Sequence, residues 1–258
     1  MRVSIVIPAH NEEKRISEKL EVYGKYFTKE KTHTYRILVV TNASKDKTLA
    51  IVKKFSKKYK LIHSLDLIKG GKGYAVIEGF KHELSKADLI GFVDADMSTS
   101  AEAFHDLVKS IGTNGGAIAS RWLPESNVKT PQTITRRFAS RVFNTLVRAL
   151  FFMPYADTQC GAKLFSKEAL QKTAPQVGNT KFAFDVELLY RVGKNGYTII
   201  EVPTTWEDQA GSSVNVLKVS FEMFTGIIRL RLRESPFAFL IKAYDILPEQ
   251  LKIHHKLK

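Results

Sequence analysis

The chain has 258 residues, 44% of them hydrophobic, which suits one large domain, or one domain with a small appendage, around a proper core. Its 40 Lys and Arg against 26 Asp and Glu give a formal net charge of +14. This charge indicates either an anionic partner, such as nucleic acid, an acidic membrane surface or a phosphorylated substrate, or simply a solvated basic surface. The single cysteine excludes an internal disulfide, and no apolar run reaches the roughly 20 residues of a membrane-spanning helix, so we expect a soluble or peripheral protein of the cytosolic side.

Strands and helices are predicted to alternate through the first half of the chain. Apolar runs predict buried strands at 3–7, 35–41, 61–68, 89–93 and 115–120. Between them, helical spacing predicts a first helix capped by Asn11, a second capped by Ser44 and Asp46, and further helices at 74–84 and 101–111. This alternation is typical of an α/β fold, a mostly parallel sheet with helices on both faces, in which ligands bind beyond the carboxyl ends of the strands.

The second half of the chain has a different texture. A basic amphipathic helix is predicted over 131–152, and its apolar stripe comprises Phe138, Val142, Leu146 and Leu150. This stripe packs on the domain in one interpretation and contacts lipid in the other. Short strands at 160–165 and 197–202 enclose a helix at 184–192. From about 215 the pattern predicts an amphipathic helix, a break at Ser235 and Pro236, and a second apolar segment. We therefore expect a catalytic domain at 1–214 and a membrane-associating segment at 215–258.

Two aspartates follow the predicted strand 89–93. Asp94 and Asp96 are two residues apart, so both carboxylates lie on one face if the backbone stays extended. Adjacent carboxylates repel each other unless a cation lies between them. Hard oxygen ligands without His or Cys favour Mg²⁺ or Mn²⁺, with phosphate oxygens and water completing an octahedron. The pair therefore predicts a metal ion that holds a diphosphate.

A glycine-rich segment, KGGKGYA at 69–75, opens a predicted helix. Free backbone N–H groups at a helix start favour an anion, although the segment matches neither a P-loop nor the dinucleotide-binding fingerprint. Two interpretations stay open. The glycines either form a plain turn, or the loop allows Lys72 to reach a nucleotide phosphate.

Six motifs follow one another in the order seen in family 2 glycosyltransferases of the GT-A fold: IVIPAHNEE, SKDKT, GGKG, DAD, SRW and DTQCGAKLF. The last, together with FAFDVELLY and EVPTTWEDQAGSS, resembles the dolichyl-phosphate hexose synthases. The resemblance spans about residues 2–215. It implies a nucleotide-sugar donor, Mg²⁺ or Mn²⁺, and a polyprenyl phosphate acceptor at an anionic membrane surface.

The resemblance also implies roles by position. The positions that match nucleotide-contacting residues of the family are Pro8, Ala9, Asn11, Glu12, Asp46 and Lys72. The positions that match its metal and diphosphate motif are Asp94 and Asp96. The positions that match its lipid-phosphate arginines, with a plain surface charge as the alternative for each, are Arg121 and one of Arg136, Arg137 and Arg141. Asp157 is a candidate for orienting the sugar or an arginine, and equally for a helix or turn cap.

Some positions depart from the family pattern. TNAS at 41–44 replaces the usual DDGS, so Asn42 stands where an aspartate is expected near the base or ribose. Ser98 stands where relatives that use GDP-mannose often carry Gln. DTQCG is more typical of the glucosyl-transferring relatives, which favours UDP-glucose over GDP-mannose.

The implied reaction is a metal-dependent, inverting transfer of a hexose to a polyprenyl phosphate. Such an acceptor oxygen is already anionic and needs little help from a general base, while arginines reduce the repulsion between two phosphates. Two alternatives stay open. A transferase acting on a soluble sugar or polysaccharide would need a carboxylate base, and a nucleic-acid-binding module would need motifs that the sequence lacks. We expect no nucleic-acid partner and a peripheral position at the cytoplasmic face of the membrane; the sequence does not determine the oligomeric state.

Overall fold

The computed structural model describes residues 1–130, 134–178, 183–208 and 216–239, and of Arg136 and residues 216–220 it describes the backbone alone. The strands of this part of the chain are β1 (Arg2–Ala9), β2 (Thr34–Asn42), β3 (Ile62–Leu67), β4 (Leu89–Val93), β5 (Gly116–Ser120), β6 (Asn127–Thr130), β7 (Ala162–Ser166), β8 (Ile199–Pro203) and β9 (Thr205–Glu207). Its α-helices are α1 (Ile16–Lys29), α2 (Thr48–Lys58), α3 (Lys72–Glu83), α4 (Ala101–Ser110), α5 (Ile134–Phe151), α6 (Lys167–Thr173), α7 (Phe184–Lys194) and α8 (Val216–Arg233). The predicted alternation is confirmed, and β6, β9 and α6 are additions to it.

Seven strands form one sheet in the order β3-β2-β1-β4-β7-β5-β8. Strand β7 is antiparallel to both of its neighbours, β4 and β5, and the other pairs are parallel. The predicted mostly parallel sheet is therefore confirmed, with one reversed strand. Strands β6 and β9 pair separately as a two-stranded ribbon.

Both faces of the sheet are covered. Every residue of β1 except Arg2 is buried, as expected for a parallel strand packed on both sides. Helices α1, α2 and α4 pack against one face, and α3, α5, α6, α7 and α8 contribute to the core on the other. Because helices cover both faces, the sheet is open to solvent mainly at the loops that follow the carboxyl ends of its strands.

The loop between β1 and α1 differs from the prediction. Asn11 does not cap a helix, because α1 begins at Ile16 and Asn11 has a φ of 55°. Its Oδ1 instead accepts the backbone N–H of Lys45 at 2.9 Å, and its own N–H donates to Oγ of Ser44 at 3.2 Å. Asn11 and Ser44 therefore hold this loop against the one that follows β2.

Helix α5 packs with only part of the predicted stripe: Leu146 and Leu150 are partly buried against the core, and the neighbouring stripe is buried. Its buried apolar side chains are Phe143, Val147 and Phe151. Phe138 and Val142, from the predicted stripe, are 71% and 44% exposed. The face that packs is rotated by about one residue from the prediction, and apolar surface is left open near the start of the helix.

Helix α8 confirms the amphipathic helix predicted from about residue 215. Ile227 and Leu230 are buried, and Arg191 of α7 pairs with Glu234 at 2.7 Å just beyond the helix end. The second apolar segment lies, from residue 240 onward, outside the described residues. Within the described part of the chain, no helix combines the length and the apolar character that crossing a membrane requires.

Candidate active site

The carboxyl ends of β3, β2, β1 and β4 form one edge of the sheet. The strand register aligns Ala9 with Thr41 and Thr41 with Asp66, and Asp94 directly follows β4. The predicted donor and metal residues on this edge and its loops are Pro8, Ala9, Asn11, Glu12, Asn42, Asp46, Lys72, Asp94 and Asp96. The structure therefore brings together residues that the sequence spreads over more than a third of the chain.

Lys72, the first residue of α3, lies beside the first aspartate of the pair. Its Nζ is 2.6 Å from Oδ1 of Asp94. Burial lowers the pKa of Lys72, but the carboxylates of Asp94 and Asp185 outweigh this effect, and the net pKa is raised. Lys72 is therefore a cation at neutral pH. The glycine-rich loop, in which Gly71 has a φ of 128°, thus places this cation beside Asp94 at the edge of the sheet.

Asp94 is also fixed from the side of β7. Its backbone N–H donates to the carbonyl of Gly161 at 3.0 Å. A Cβ atom at position 161 would lie 2.1 Å from Oδ2 of Asp94. Because no side chain fits at that distance, glycine at 161 is a condition for the position of the carboxylate.

Asp96 stands on the loop between β4 and α4. Its Oδ1 accepts the backbone N–H of Ser98 at 3.1 Å. Two side chains of helix α1 bind this loop. Nζ of Lys19 and the hydroxyl of Tyr23 both donate to the carbonyl of Thr99 at 3.0 Å. Lys19 is fully buried, and burial lowers its pKa to about 7 although Asp96 and Asp94 act in the opposite direction.

The donor set of Asp94 and Asp96 fits a hard divalent cation. Both offer carboxylate oxygens, and in the described residues no group of three or more His, Cys, Asp or Glu could enclose a metal ion. Mg²⁺ keeps several waters and is usually bound through one or two carboxylates together with substrate phosphates. The arrangement therefore fits Mg²⁺ or Mn²⁺ shared with a diphosphate better than a closed protein site.

The loops after β1 and β2 are joined by side-chain caps. Asp46, predicted as a helix cap, lies one residue before the N-cap Lys47, and it accepts the backbone N–H of Thr48 at 3.0 Å and that of Glu13 at 3.1 Å. The N–H of Glu12 donates to Oγ1 of Thr48 at 2.8 Å. Burial raises the pKa of Glu12, Arg15 opposes this, and Asp96 and Asp94 add to it. Glu12 therefore lies within the electrostatic field of the aspartate pair.

Asn42 connects three loops. In the orientation that satisfies both ends of its amide, Nδ2 donates to the carbonyl of Ala9 at 2.9 Å and Oδ1 accepts the N–H of Gly71 at 3.0 Å. The carbonyl of Asn42 lies 2.7 Å from Nδ1 of His10. The side chain is 3% exposed. Its amide is therefore engaged within the protein.

Arg121 and Asp157 form a buried pair. The backbone N–H and Nε of Arg121 donate to Oδ2 of Asp157 at 3.0 and 2.7 Å, and its second guanidinium nitrogen donates to Oδ1 at 3.0 Å. Oδ1 also accepts the N–H groups of Gln159 and Cys160 at 3.1 Å. Burial raises the pKa of Asp157, but Arg121 outweighs it and the net pKa is lowered. Asp157 thus holds the guanidinium of Arg121 and also caps its own turn.

An arginine and tryptophan cluster surrounds this pair. The guanidinium carbon of Arg141 lies 4.1 Å from the ring centre of Trp122, and that of Arg121 lies 5.2 Å from the ring centre of Trp206. The indole N–H of Trp122 is buried and has no hydrogen-bond partner among the described residues. A groove of about 250 Å³ opens here, and its lining comprises Trp122, Ile134, Arg137, Phe138 and Arg141. Arg121 and Arg141 both lie near the Trp122 ring, with the guanidinium carbon of Arg121 6.0 Å from its centre, whereas the Arg136 side chain lies outside the described residues.

The family model of Glycosyl transferase family 2 matches residues 4–173. The chain belongs to this family. Among curated relatives, dolichyl-phosphate beta-glucosyltransferase ALG5C of Trichomonas vaginalis is 33% identical over 224 residues, 83% of this chain and 66% of that protein. The human dolichyl-phosphate beta-glucosyltransferase is 31% identical over 246 residues, 90% of this chain and 75% of that protein.

The fold is similar to that of a solved transferase. Glucosyl-3-phosphoglycerate synthase from Mycobacterium tuberculosis, in complex with Mn²⁺, UDP and phosphoglyceric acid, superposes with a TM-score of 0.67 at 15% identity. The match covers 89% of this chain and 78% of that one. The GT-A expectation is therefore confirmed at the level of the fold.

Sequence reasoning missed a buried ion pair behind the site of this family 2 transferase. Nζ of Lys163 lies 2.7 Å from Oδ1 of Asp185 and donates to the carbonyl of Cys160 at the same distance. The carboxylate of Asp185 also raises the pKa of Lys72. Charges of opposite sign therefore alternate from Lys163 through Asp185 and Lys72 to Asp94. The motifs containing both residues were recognised, but their pairing depends on β7 and α7 meeting in space.

Asn144 of α5 was missed as well. Its amide donates to the carbonyl of Ala156, and its Oδ1 accepts from the N–H and the hydroxyl of Thr158 at 3.3 and 2.9 Å. Ala156 and Thr158 are the residues immediately before and after Asp157. The helix that carries the open apolar stripe is thereby attached to the loop that orients Arg121.

Proposed function

We propose that this chain transfers glucose from UDP-glucose to a dolichyl or related polyprenyl phosphate, with inversion at the anomeric carbon. The names of its curated relatives support this acceptor and sugar. The observation that carries the proposal is the groove beside Arg121. It combines the guanidinium groups of Arg137 and Arg141, apolar side chains, and the indole N–H of Trp122, which has no hydrogen-bond partner within the described part of the chain. This combination suits a ligand with an anionic head and a hydrocarbon tail.

The residues of the chain divide the work between donor and acceptor. Lys72 and the aspartate pair would hold the diphosphate of the donor, with Mg²⁺ or Mn²⁺ at Asp94 and Asp96. When bound, that ion supplies Lewis-acid stabilisation of the charge on the departing nucleoside diphosphate. Arg121 and Arg141 would bind the acceptor phosphate, reduce its repulsion from the donor, and orient its oxygen toward the sugar.

This division requires no protein base. The acceptor oxygen is anionic at neutral pH, and Asp157 is buried, bonded to Arg121 and depressed in pKa. A transferase acting on a sugar hydroxyl would need a carboxylate free to accept a proton. The engagement of Asp157 therefore favours the lipid phosphate over the soluble acceptor.

The proposal includes a peripheral position on the cytoplasmic face of a membrane. Ile134 and Phe138 of α5 and Phe221 and Phe224 of α8 are exposed apolar side chains, and Arg137 lies exposed among them. Helices α5 and α8 contact each other, so these side chains belong to adjacent helices. Apolar residues flanked by arginine are typical of helices that lie on an anionic bilayer.

A transfer assay tests the proposal. Radiolabelled UDP-glucose and GDP-mannose are offered separately with a polyprenyl phosphate, a divalent metal and the full chain, and label in the organic phase is counted. We expect transfer from UDP-glucose, and loss of at least about 100-fold in Asp96→Asn. The proposal fails if label appears only with a soluble sugar acceptor, or if Asp96→Asn keeps wild-type activity.

A further inference from the structure

A hydroxyl and a carboxylate meet at the carboxyl ends of β2 and β3. Thr41 on β2 and Asp66 on β3 are register partners, and Oγ1 of Thr41 donates to Oδ1 of Asp66 at 2.6 Å. Thr41 is fully buried, whereas Asp66 is exposed. The carboxylate is therefore anchored through one oxygen and presented to solvent at the edge of the sheet.

Thr41 lies in the segment where the chain departs from its family pattern. Thr41 and Asn42 occupy the positions of the two aspartates in the usual DDGS. Asn42 uses both ends of its amide on Ala9 and Gly71. The carboxylate next to Thr41 comes instead from the neighbouring strand, at Asp66.

The position of Asp66 suits one end of a nucleotide. Asp66, Thr41 and Ala9 form a row across β3, β2 and β1, and Asp94 follows on β4. Three strand spacings of about 4.8 Å each separate Asp66 from Asp94, roughly 14 Å in all. An extended nucleoside diphosphate whose phosphates lie at Asp94 can reach along such a row with its base.

We propose that Asp66, oriented by Thr41, reads the base of the nucleotide donor by accepting the N3–H of uracil. This rests on the proposed function. Uracil presents a single ring N–H between two carbonyls, which one free carboxylate oxygen satisfies. Guanine presents two adjacent donors, which a carboxylate meets best with both oxygens side by side, and the hydrogen bond from Thr41 to Oδ1 holds the carboxylate in an orientation that leaves Oδ2 as the open acceptor. Cytosine carries an acceptor at N3, which a carboxylate repels.

The experiment compares nucleotides that differ only at this N–H. Binding of UDP, 3-methyl-UDP and GDP to the full chain with Mg²⁺ is measured by calorimetry for the wild type, Asp66→Ala and Thr41→Val. We expect the wild type to prefer UDP over 3-methyl-UDP by about 10-fold or more, the value of one charge-assisted hydrogen bond. In Asp66→Ala the preference falls below about 2-fold, and in Thr41→Val it is intermediate.

Asp106→Ala provides the matched control, because Asp106 is a half-exposed aspartate on α4 that pairs with Lys109, away from the row. It should keep the wild-type preference. A wild type that binds both uridine nucleotides equally, or an Asp66→Ala variant that keeps the full preference, overturns the assignment. If such a variant still transfers glucose to polyprenyl phosphate, the proposed function stands and the inference about Asp66 alone fails.

Discussion

Nζ of Lys72 lies 2.6 Å from Oδ1 of Asp94, which joins the start of α3 to the end of β4. The pair places a fixed positive charge next to the carboxylate that we assign to the diphosphate site. Lys72→Met should therefore lower kcat/KM for the sugar nucleotide by about 100-fold or more, because a positioned cation is lost where charge develops.

Lys69→Met is the control for this variant. Lys69 lies in the same loop, with Nζ 5.1 Å from the ring centre of Tyr74 rather than on the aspartate pair. Its steady-state kinetics should stay within about 3-fold of the wild type, a difference below 1 kcal/mol. Equal losses in both variants would contradict a specific role for Lys72.

The buried pair of Lys163 and Asp185 should dominate the stability of the site. Asp185→Ala leaves a fully buried ammonium without its carboxylate and should lower the free energy of unfolding by about 3–5 kcal/mol. Replacing both residues, as Lys163→Met with Asp185→Leu, should cost clearly less. Urea unfolding measures the free energy of unfolding of both variants. A double variant less stable than Asp185→Ala would contradict the view that the cost arises from an unpaired buried charge.

Lys19 predicts a pH dependence of stability. Burial lowers its pKa from 10.5 to about 7, so between these values the unfolded chain binds a proton that the folded chain does not. Stability therefore rises with pH across that window, and the cost of burying the charge is largest at pH 7 and below. Lys19→Met should gain stability over the wild type at pH 6–7, on the order of a few kcal/mol, and lose that advantage near pH 10. Thermal unfolding from pH 6 to 10 measures it; parallel curves for the two proteins would be the contrary result.

Asn144 should act on the acceptor and not on the donor. Asn144→Ala removes the bonds to Ala156 and Thr158 that fix the loop around Asp157. We expect kcat/KM for polyprenyl phosphate to fall about 10-fold, the value of one or two lost hydrogen bonds, while UDP affinity stays within about 2-fold. Thr145→Ala, on the exposed side of the same helix, should change neither.

Charge reversal tests the proposed contact of α5 with an anionic membrane. Arg137→Glu should weaken binding to anionic vesicles by about 10-fold or more, since each basic residue near the surface is worth about 1 kcal/mol. Lys57→Glu is the control. It changes the net charge by the same amount at an exposed residue of α2, a helix that packs on the opposite face of the sheet from α5. Vesicle sedimentation at low and high salt separates them; an identical effect of both substitutions would indicate attraction to net charge alone.

The sequence predicted the strand ends better than the packing between elements. Asp94 and Asp96 could be found because a buried apolar strand ends directly before them, and that signal is local. The direction of β7 could not, since an apolar run looks the same in a parallel and an antiparallel strand. Its reversal brings Gly161 against Asp94, a contact between residues 67 positions apart.

The misplaced features have physical reasons too. Asn11 resembled a helix cap, but the carbonyl of its amide satisfies Lys45 in another loop, and the chain turns through a positive φ instead. On α5 two apolar stripes compete, and only the tertiary contacts of Phe143 and Val147 decide which one is buried. Lys19 sits at a helical position that pattern reasoning assigns to an apolar side chain.

The reversed strand β7 has a consequence for the order in which the molecule is assembled. Strands β1 to β4 pair among themselves within the first 93 residues, so this part of the sheet can form while the ribosome is still producing the rest. Strand β5 has no place beside them until β7, made 42 residues later, inserts between β4 and β5. Such distant pairing is slow. Newly made chains should therefore acquire protease resistance first in the segment up to β4, and the groove at Trp122 and Arg141 should form only after synthesis has passed β7.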